Sequence, residues 1–238
     1  MNILILKHFE LGNYDVVHQW AEQRGYNAWI REAAIGLSRK EFDTADLIII
    51  MGGPMSVYEE ETYPWLIQEK EYILEAIRQN QKVLGICFGA QMLAELLGGR
   101  VYRHDHKEIG WHRISRTGEN HPWLQELPED FYSFQWHGDT FELPQGAVWL
   151  AQSEGCRNQA FAYNENTVGL QFHLETSPES VELMLHHWKD ALVEAPYIQT
   201  KEQIVKEMDR SETAIGILYS ILDRIAGEIA SGGDRNET

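Results

Sequence analysis

The apolar residues of this chain fall into two textures that meet near residue 99. In the first, short unbroken aliphatic runs alternate with helical spacing. Ile3, Leu4, Ile5 and Leu6 predict a buried strand over 2–6, and 13–24 reads as a helix with Val16, Val17 and Trp20 on one side, stopped by Gly25. A second strand is expected over 26–30. Residues 42–46 then lead into the run Leu47-Ile48-Ile49-Ile50-Met51, which predicts a central parallel strand buried on both faces. Pro64 suits the first turn of a helix over 63–79, with Trp65, Ile73, Ala76 and Ile77 on one face. The run 83–86 is a further strand, and it passes directly into apolar residues at helical spacing closed by Gly98.

Past Gly99 the pieces become short and β-rich, at 100–103, 111–115, 130–135, 147–152, 158–163 and 167–172, separated by turn residues. Helical spacing returns over 177–193, with Pro178 at its start, and again over 201–230, where Ile204, Val205, Met208, Ile215, Leu218, Ile221, Leu222 and Ile225 recur at steps of three and four. The expected class is α/β: a mostly parallel central sheet covered by helices on both faces, with a smaller antiparallel β extension and C-terminal helices. The expected organisation is a main domain over 1–195, a helical extension over 196–230 and a frayed tail over 231–238, which lacks apolar residues.

Composition narrows the function. With 238 residues, 43% hydrophobic and 24% charged, the chain has room for one α/β domain with a full core. Cys87 and Cys156 are too few for a disulfide framework, and Lys7-His8 interrupts the N-terminal apolar run, so the reducing cytoplasm is the expected compartment. No apolar segment reaches 18 residues, which argues against a membrane span. A net charge of -17 opposes nucleic acid and anionic membranes as partners, leaving small molecules and proteins.

The chemistry concentrates around Gly85-Ile86-Cys87-Phe88-Gly89, a cysteine form of the Gly-x-Ser-x-Gly elbow at a strand-to-helix turn. Such a turn presents Cys87 at a helix N-terminus, where the dipole favours a thiolate. A nucleophile needs a base, and the base needs an orienting group. In Gln171-Phe172-His173-Leu174-Glu175, His173 and Glu175 are two apart and face one side of an extended segment, at the end where parallel strands gather their ligands. An oxyanion also needs donors. The Phe88 N–H is one candidate, and Gly52-Gly53-Pro54 after the 47–51 strand is another.

Taken in order, Gly52-Gly53-Pro54, Gly85-Ile86-Cys87-Phe88-Gly89-Ala90-Gln91, Trp136-His137-Gly138-Asp139 and Gln171-Phe172-His173-Leu174-Glu175 resemble the motifs of class I, triad-type glutamine amidotransferase domains. Within them the chain is most similar to the free-standing branch related to the glutaminase domain of GMP synthase. The resemblance covers roughly residues 1–190. It implies Cys87 as nucleophile, His173 and Glu175 as the rest of the triad, and Gly53 and Phe88 as oxyanion donors. It further implies that Gln91, with backbone around Trp136, Gly138 and Asp139 and with Met55 as a further contact, holds the amino-acid end of glutamine. No cofactor is implied. The partner implied is an ammonia-accepting synthetase subunit, although 1–238 contains no Gly-x-x-x-x-Gly-Lys-Ser/Thr loop for ATP. Free-standing relatives include γ-glutamyl peptidases, so a small γ-glutamyl peptide stands as the alternative substrate, and a non-enzymatic regulatory subunit as the alternative role.

Weaker signals read more plainly. His104-Asp105-His106 with His112 fits no zinc signature and is expected as a solvated loop, so no metal site is assigned. His186-His187 reads as a helix face, and Cys156 as an unreactive thiol. The stripe from Ile204 to Ile225 packs on its own core or joins a second copy in a homo-oligomer.

Overall fold

The computed structural model describes residues 1–10 and 13–233. Its strands are β1 (Asn2–Lys7), β2 (Asn27–Glu32), β3 (Leu47–Ile50), β4 (Lys82–Ile86), β5 (Val101–Arg116), β6 (Asp130–Phe141), β7 (Val148–Gln152), β8 (Ala160–Asn164) and β9 (Thr167–Leu170). Its helices are α1 (Asn13–Gln23), α2 (Arg39–Thr44), α3 (Trp65–Arg78), α4 (Phe88–Leu96), α5 (Pro178–His187), α6 (Lys201–Lys206) and α7 (Arg210–Gly233). Single 3-10 turns lie at Pro122–Leu124 and Lys189–Ala191.

All nine strands join one sheet in the order β2-β1-β3-β4-β9-β8-β7-β5-β6. Pairing is parallel from β2 through β9 and antiparallel from β9 through β6. The sheet is therefore mixed, and the expectation of a mostly parallel sheet with a minor antiparallel extension is corrected. The antiparallel strands β5 and β6 are the longest, 16 and 12 residues, so the antiparallel part is the larger. The reason lies in the fragments 100–103, 111–115 and 130–135. Their polar interruptions are carried inside continuous strands, with a register irregularity between Arg103 and Glu108. The His104-Asp105-His106 segment is accordingly part of β5 rather than a loop.

In the parallel half, alternate residues go to opposite cores. Ile3, Ile5, Leu47, Ile49, Leu84 and Ile86 pack with α1, α5 and α7, whereas Leu4, Leu6, Ile48, Ile50 and Val83 pack with α2, α3 and α4. Period-two alternation in a run apolar at every position is what two covered faces require. The C-terminal stripe is committed to this core: Ile204, Leu218, Leu222 and Ile225 are fully buried. Of the expected tail, 231–233 continue α7, while 234–238 lie outside the described residues. Among the described residues no helix is long and apolar enough to cross a membrane.

Candidate active site

β4 lies between β3 and β9, all three parallel, so their carboxyl ends open onto one edge of the sheet. β3 delivers Gly52 and Gly53, β4 delivers Cys87, and the chain leaving β9 delivers His173 and Glu175. Cys87 occupies the N-cap of α4 with φ 52 and ψ -106. Positive φ at a non-glycine residue is sterically unfavourable and persists only where the surroundings hold it. Here the Cys87 N–H donates to the Leu170 carbonyl at 2.7 Å, and the Cys87 carbonyl accepts from Gln91 N at 3.0 Å. The flanking glycines answer a packing requirement. A Cβ on Gly85 would lie 2.5 Å from Gly89 backbone, and one on Gly89 would collide with the Ile50 carbonyl.

The His173 ring sits between a carboxylate and the thiol. Nδ1 is 2.6 Å from Glu175 Oε1. Nε2 is buried without a hydrogen-bond partner, and Cys87 lies near enough to act on the charge of the ring. Gly52 fills the angle between the two: a Cβ there would be 3.1 Å from His173 Cε1 and 3.7 Å from Cys87 Cβ. Cys87, His173 and Glu175 are 6%, 2% and 0% exposed. Burial works against charge on His173, yet Glu175 and Cys87 overcome it and hold the imidazole well above its ordinary value of 6.5. The base position is further fixed by the His173 N–H donating to Phe134 O at 2.9 Å and by Ser133 Oγ donating to His173 O at 2.8 Å.

These groups face a cavity of about 380 Å³, within the usual range for small ligands. Gly53, Met55, Cys87, Gln91, Trp136, Gly138, Asp139 and His173 all line it. Phe88 and Glu175 do not; Phe88 opens α4, and first-turn N–H groups have no intrahelical acceptor. The Gln91 side chain is turned inward, its Nε2 donating to Asp139 O at 3.2 Å and Gln171 Oε1 at 3.0 Å. The Asp139 carboxylate is also engaged, accepting from Ser56 Oγ at 2.6 Å, Tyr58 OH at 3.0 Å and Arg103 at 3.3 Å. The Asp139 side chain is thereby anchored at the cavity.

Arg103, Lys107, Phe9, Trp188 and His187 also line the cavity and lie outside the four motifs. Arg103 and Lys107 fold over Gly138, where a Cβ would lie 3.1 Å from the guanidinium carbon and 3.3 Å from Lys107 Cγ. Phe9, Trp136 and Trp188 form an aromatic wall, with ring centroids 5.4 Å apart for Phe9 and Trp188 and 5.9 Å for Trp136 and Trp188. His187, expected only on a helix face, lines the same space. Behind it, Glu108, His137 and Cys156 bring potential ligand atoms within 4.8 Å of one another. Protein hydrogen bonds account for that cluster: Glu108 Oε2 meets His137 Nε2 at 3.1 Å and Gln159 Nε2 at 2.6 Å, and Glu108 Oε1 accepts from Ser153 Oγ at 2.7 Å. Burial pushes the Cys156 thiol up to about 11.

A buried cysteine on a strained strand-to-helix elbow, beside an imidazole backed by a carboxylate on an α/β sheet, is the arrangement that a cysteine nucleophile needs. Comparison with known proteins gives that class a family. Residues 11–187 match the sequence model described as glutamine amidotransferase class-I. The chain is 32% identical over 201 residues to the glutamine amidotransferase-like protein YfeJ of Salmonella typhimurium, covering 82% of this chain and 84% of that protein. The GMP synthase (glutamine-hydrolyzing) of Thermomicrobium roseum is 40% identical over 131 residues, but the match spans 55% of this chain and 23% of the synthase. Among solved structures, a glutamine amidotransferase of Thermotoga maritima superposes with a TM-score of 0.85 at 32% identity, covering 94% of this chain and 97% of that one. Another, from Methylobacillus flagellatus, gives 0.88 at 25% identity, covering 95% and 94%. The chain belongs to the class-I glutamine amidotransferase family.

Proposed function

We propose that the protein hydrolyses a γ-glutamyl amide, with glutamine as the favoured substrate, through a γ-glutamyl thioester on Cys87. The observation that carries this reading is the His173 ring, tied to Glu175 through Nδ1 and set across Gly52 from Cys87. In the first half-reaction the thiolate attacks the side-chain amide carbon, and the oxyanion is met by the N–H groups of Gly53 and Phe88. The C–N bond breaks as His173 passes its proton to the leaving nitrogen, and ammonia departs. In the second, His173 takes a proton from water, hydroxide adds to the thioester, and collapse of the adduct releases glutamate and the Cys87 thiolate beside a protonated His173. Glu175 orients the ring and stabilises its protonated form.

The amino-acid end of the substrate lies against Gln91, Met55 and the backbone of Trp136, Gly138 and Asp139. The cations Arg103 and Lys107 above Gly138 face its α-carboxylate. Ammonia passes to a synthetase partner, in the manner the GMP synthase relatives imply, or to solvent. The wall of Phe9, Trp136 and Trp188 favours a second reading, in which the leaving amine is an amino acid and the substrate a small γ-glutamyl peptide.

The test is ammonia release from glutamine beside amino-acid release from γ-glutamyl dipeptides, with Cys87→Ala as control. Turnover is expected to fall at least about 10³-fold in the variant. A glutamine analogue with an electrophilic γ-carbon is expected to label the wild type at Cys87 alone. A protein inactive on both substrate classes and unlabelled would instead support a non-enzymatic role.

A further inference from the structure

We propose that the buried pair His8 and Glu69 is a positioning device for the oxyanion donors Gly53 and Phe88, an inference that rests on the hydrolytic reading above. Both side chains are fully buried, with His8 Nε2 2.9 Å from Glu69 Oε1. Glu69 comes from α3, and His8 immediately follows β1. Neither residue belongs to the triad, and neither lines the cavity. The pair keeps two buried polar atoms, His8 Nδ1 and Glu69 Oε2, without hydrogen-bond partners. Such atoms disfavour folding, and an apolar pair of the same shape would fill the space at lower cost.

What the pair supplies is a ring held in one orientation against both donor residues. The Phe88 ring lies edge-on to His8, centroids 4.6 Å apart at 60°. On another side Gly53 is packed so closely that a Cβ on it would sit 3.0 Å from His8 Cβ. Trp65 stacks on the same imidazole at 5.8 Å and 24°. The contact with Glu69 engages Nε2 and stops the ring from turning. One side chain thus sets the spacing between the end of β3 and the start of α4, the two segments whose N–H groups converge on the oxyanion. Donors act on a transition state only when their placement is right to a fraction of an ångström, so the ring matters to the rate rather than to substrate capture.

The experiment uses the full chain and three variants, His8→Ala, Glu69→Leu and Glu69→Gln. Loss of one oxyanion donor lowers kcat roughly 10²–10³-fold, so displacement of both by a cavity at residue 8 is expected to lower kcat about 10- to 100-fold with KM within about twofold. Glu69→Gln keeps a partner for Nε2 and is expected to recover most of what Glu69→Leu loses. Two probes separate positioning from general damage. The aldehyde corresponding to the glutamine side chain needs the donors for its tetrahedral adduct, and its affinity should weaken by the same factor as kcat. Alkylation of Cys87 by iodoacetamide needs no oxyanion donor and should keep its rate. Unchanged kcat and aldehyde affinity in His8→Ala would overturn the proposal, as would equal losses in both probes together with a lowered melting temperature. A wild type that turns over no γ-glutamyl amide would instead sink the hydrolytic reading, while the aldehyde arm still reports on the pair.

Discussion

At Cys87 the backbone takes a conformation that costs a side-chain-bearing residue roughly 1–3 kcal/mol, and the folded state holds it there through Leu170, Gln91 and two flanking glycines. The second cysteine makes the contrast useful. Cys156 is equally hidden, but burial raises its thiol to about 11, leaving about one thiolate in a thousand at pH 8. Limited alkylation of the folded protein at pH 8 is therefore expected to modify Cys87 and spare Cys156, read by peptide mass mapping; equal modification would contradict the assignment. That Cys87, His173 and Glu175 meet at one sheet edge is legible in the sequence, because each stands at a recognisable turn or strand end. Ser56, Tyr58 and Glu108 are not, since their work is done on Asp139 and His137, partners far along the chain that only the fold brings near.

Glycine has opposite meanings in two helices. In α4, Gly89 faces the Ile50 carbonyl with no space for a methyl group, whereas in α7 a Cβ on Gly216 or Gly227 would meet nothing within 4 Å. Gly89→Ala is expected to destabilise by roughly 1–3 kcal/mol through overpacking at the elbow. Gly216→Ala and Gly227→Ala should each stabilise by about 0.5–1 kcal/mol, because alanine loses less backbone freedom in a helix. Chemical denaturation of the three variants checks both signs. Elements differ in how plainly the sequence shows them. Runs such as Leu47 to Ile50 are plain, but α2 is a six-residue helix with a single buried residue, Phe42, too short for a periodic signal. β5 and β6 show in the sequence only as fragments because, at one margin of the sheet, polar residues such as His104, Asp105 and His106 are accepted within a strand.

For the molecule as a whole, the antiparallel half is fastened by Glu108, which ties β5 to β6 through His137 and to the approach to β8 through Gln159. Burial acts to raise its carboxyl, but His137 and Ser153 outweigh it and hold it below its ordinary value of 4.5. A depressed carboxylate contributes stability above the unfolded value, and that contribution fades as pH falls through the folded one. The stability gap between the wild type and Glu108→Gln is accordingly expected to be full at pH 7 and to narrow below about pH 4.5, measured by urea unfolding across pH. A gap constant with pH would assign Glu108 a packing role alone. The strand order has a further consequence in time. β9 is the seam between the two halves, and the imidazole joins the thiol only when Leu84 and Val168 are brought into register. Contacts between such distant segments form slowly. A chain emerging from the ribosome therefore carries its cysteine for some eighty-six residues of synthesis, the separation of positions 87 and 173, before the imidazole exists, and the site proposed here is assembled only once the sheet has closed across its middle.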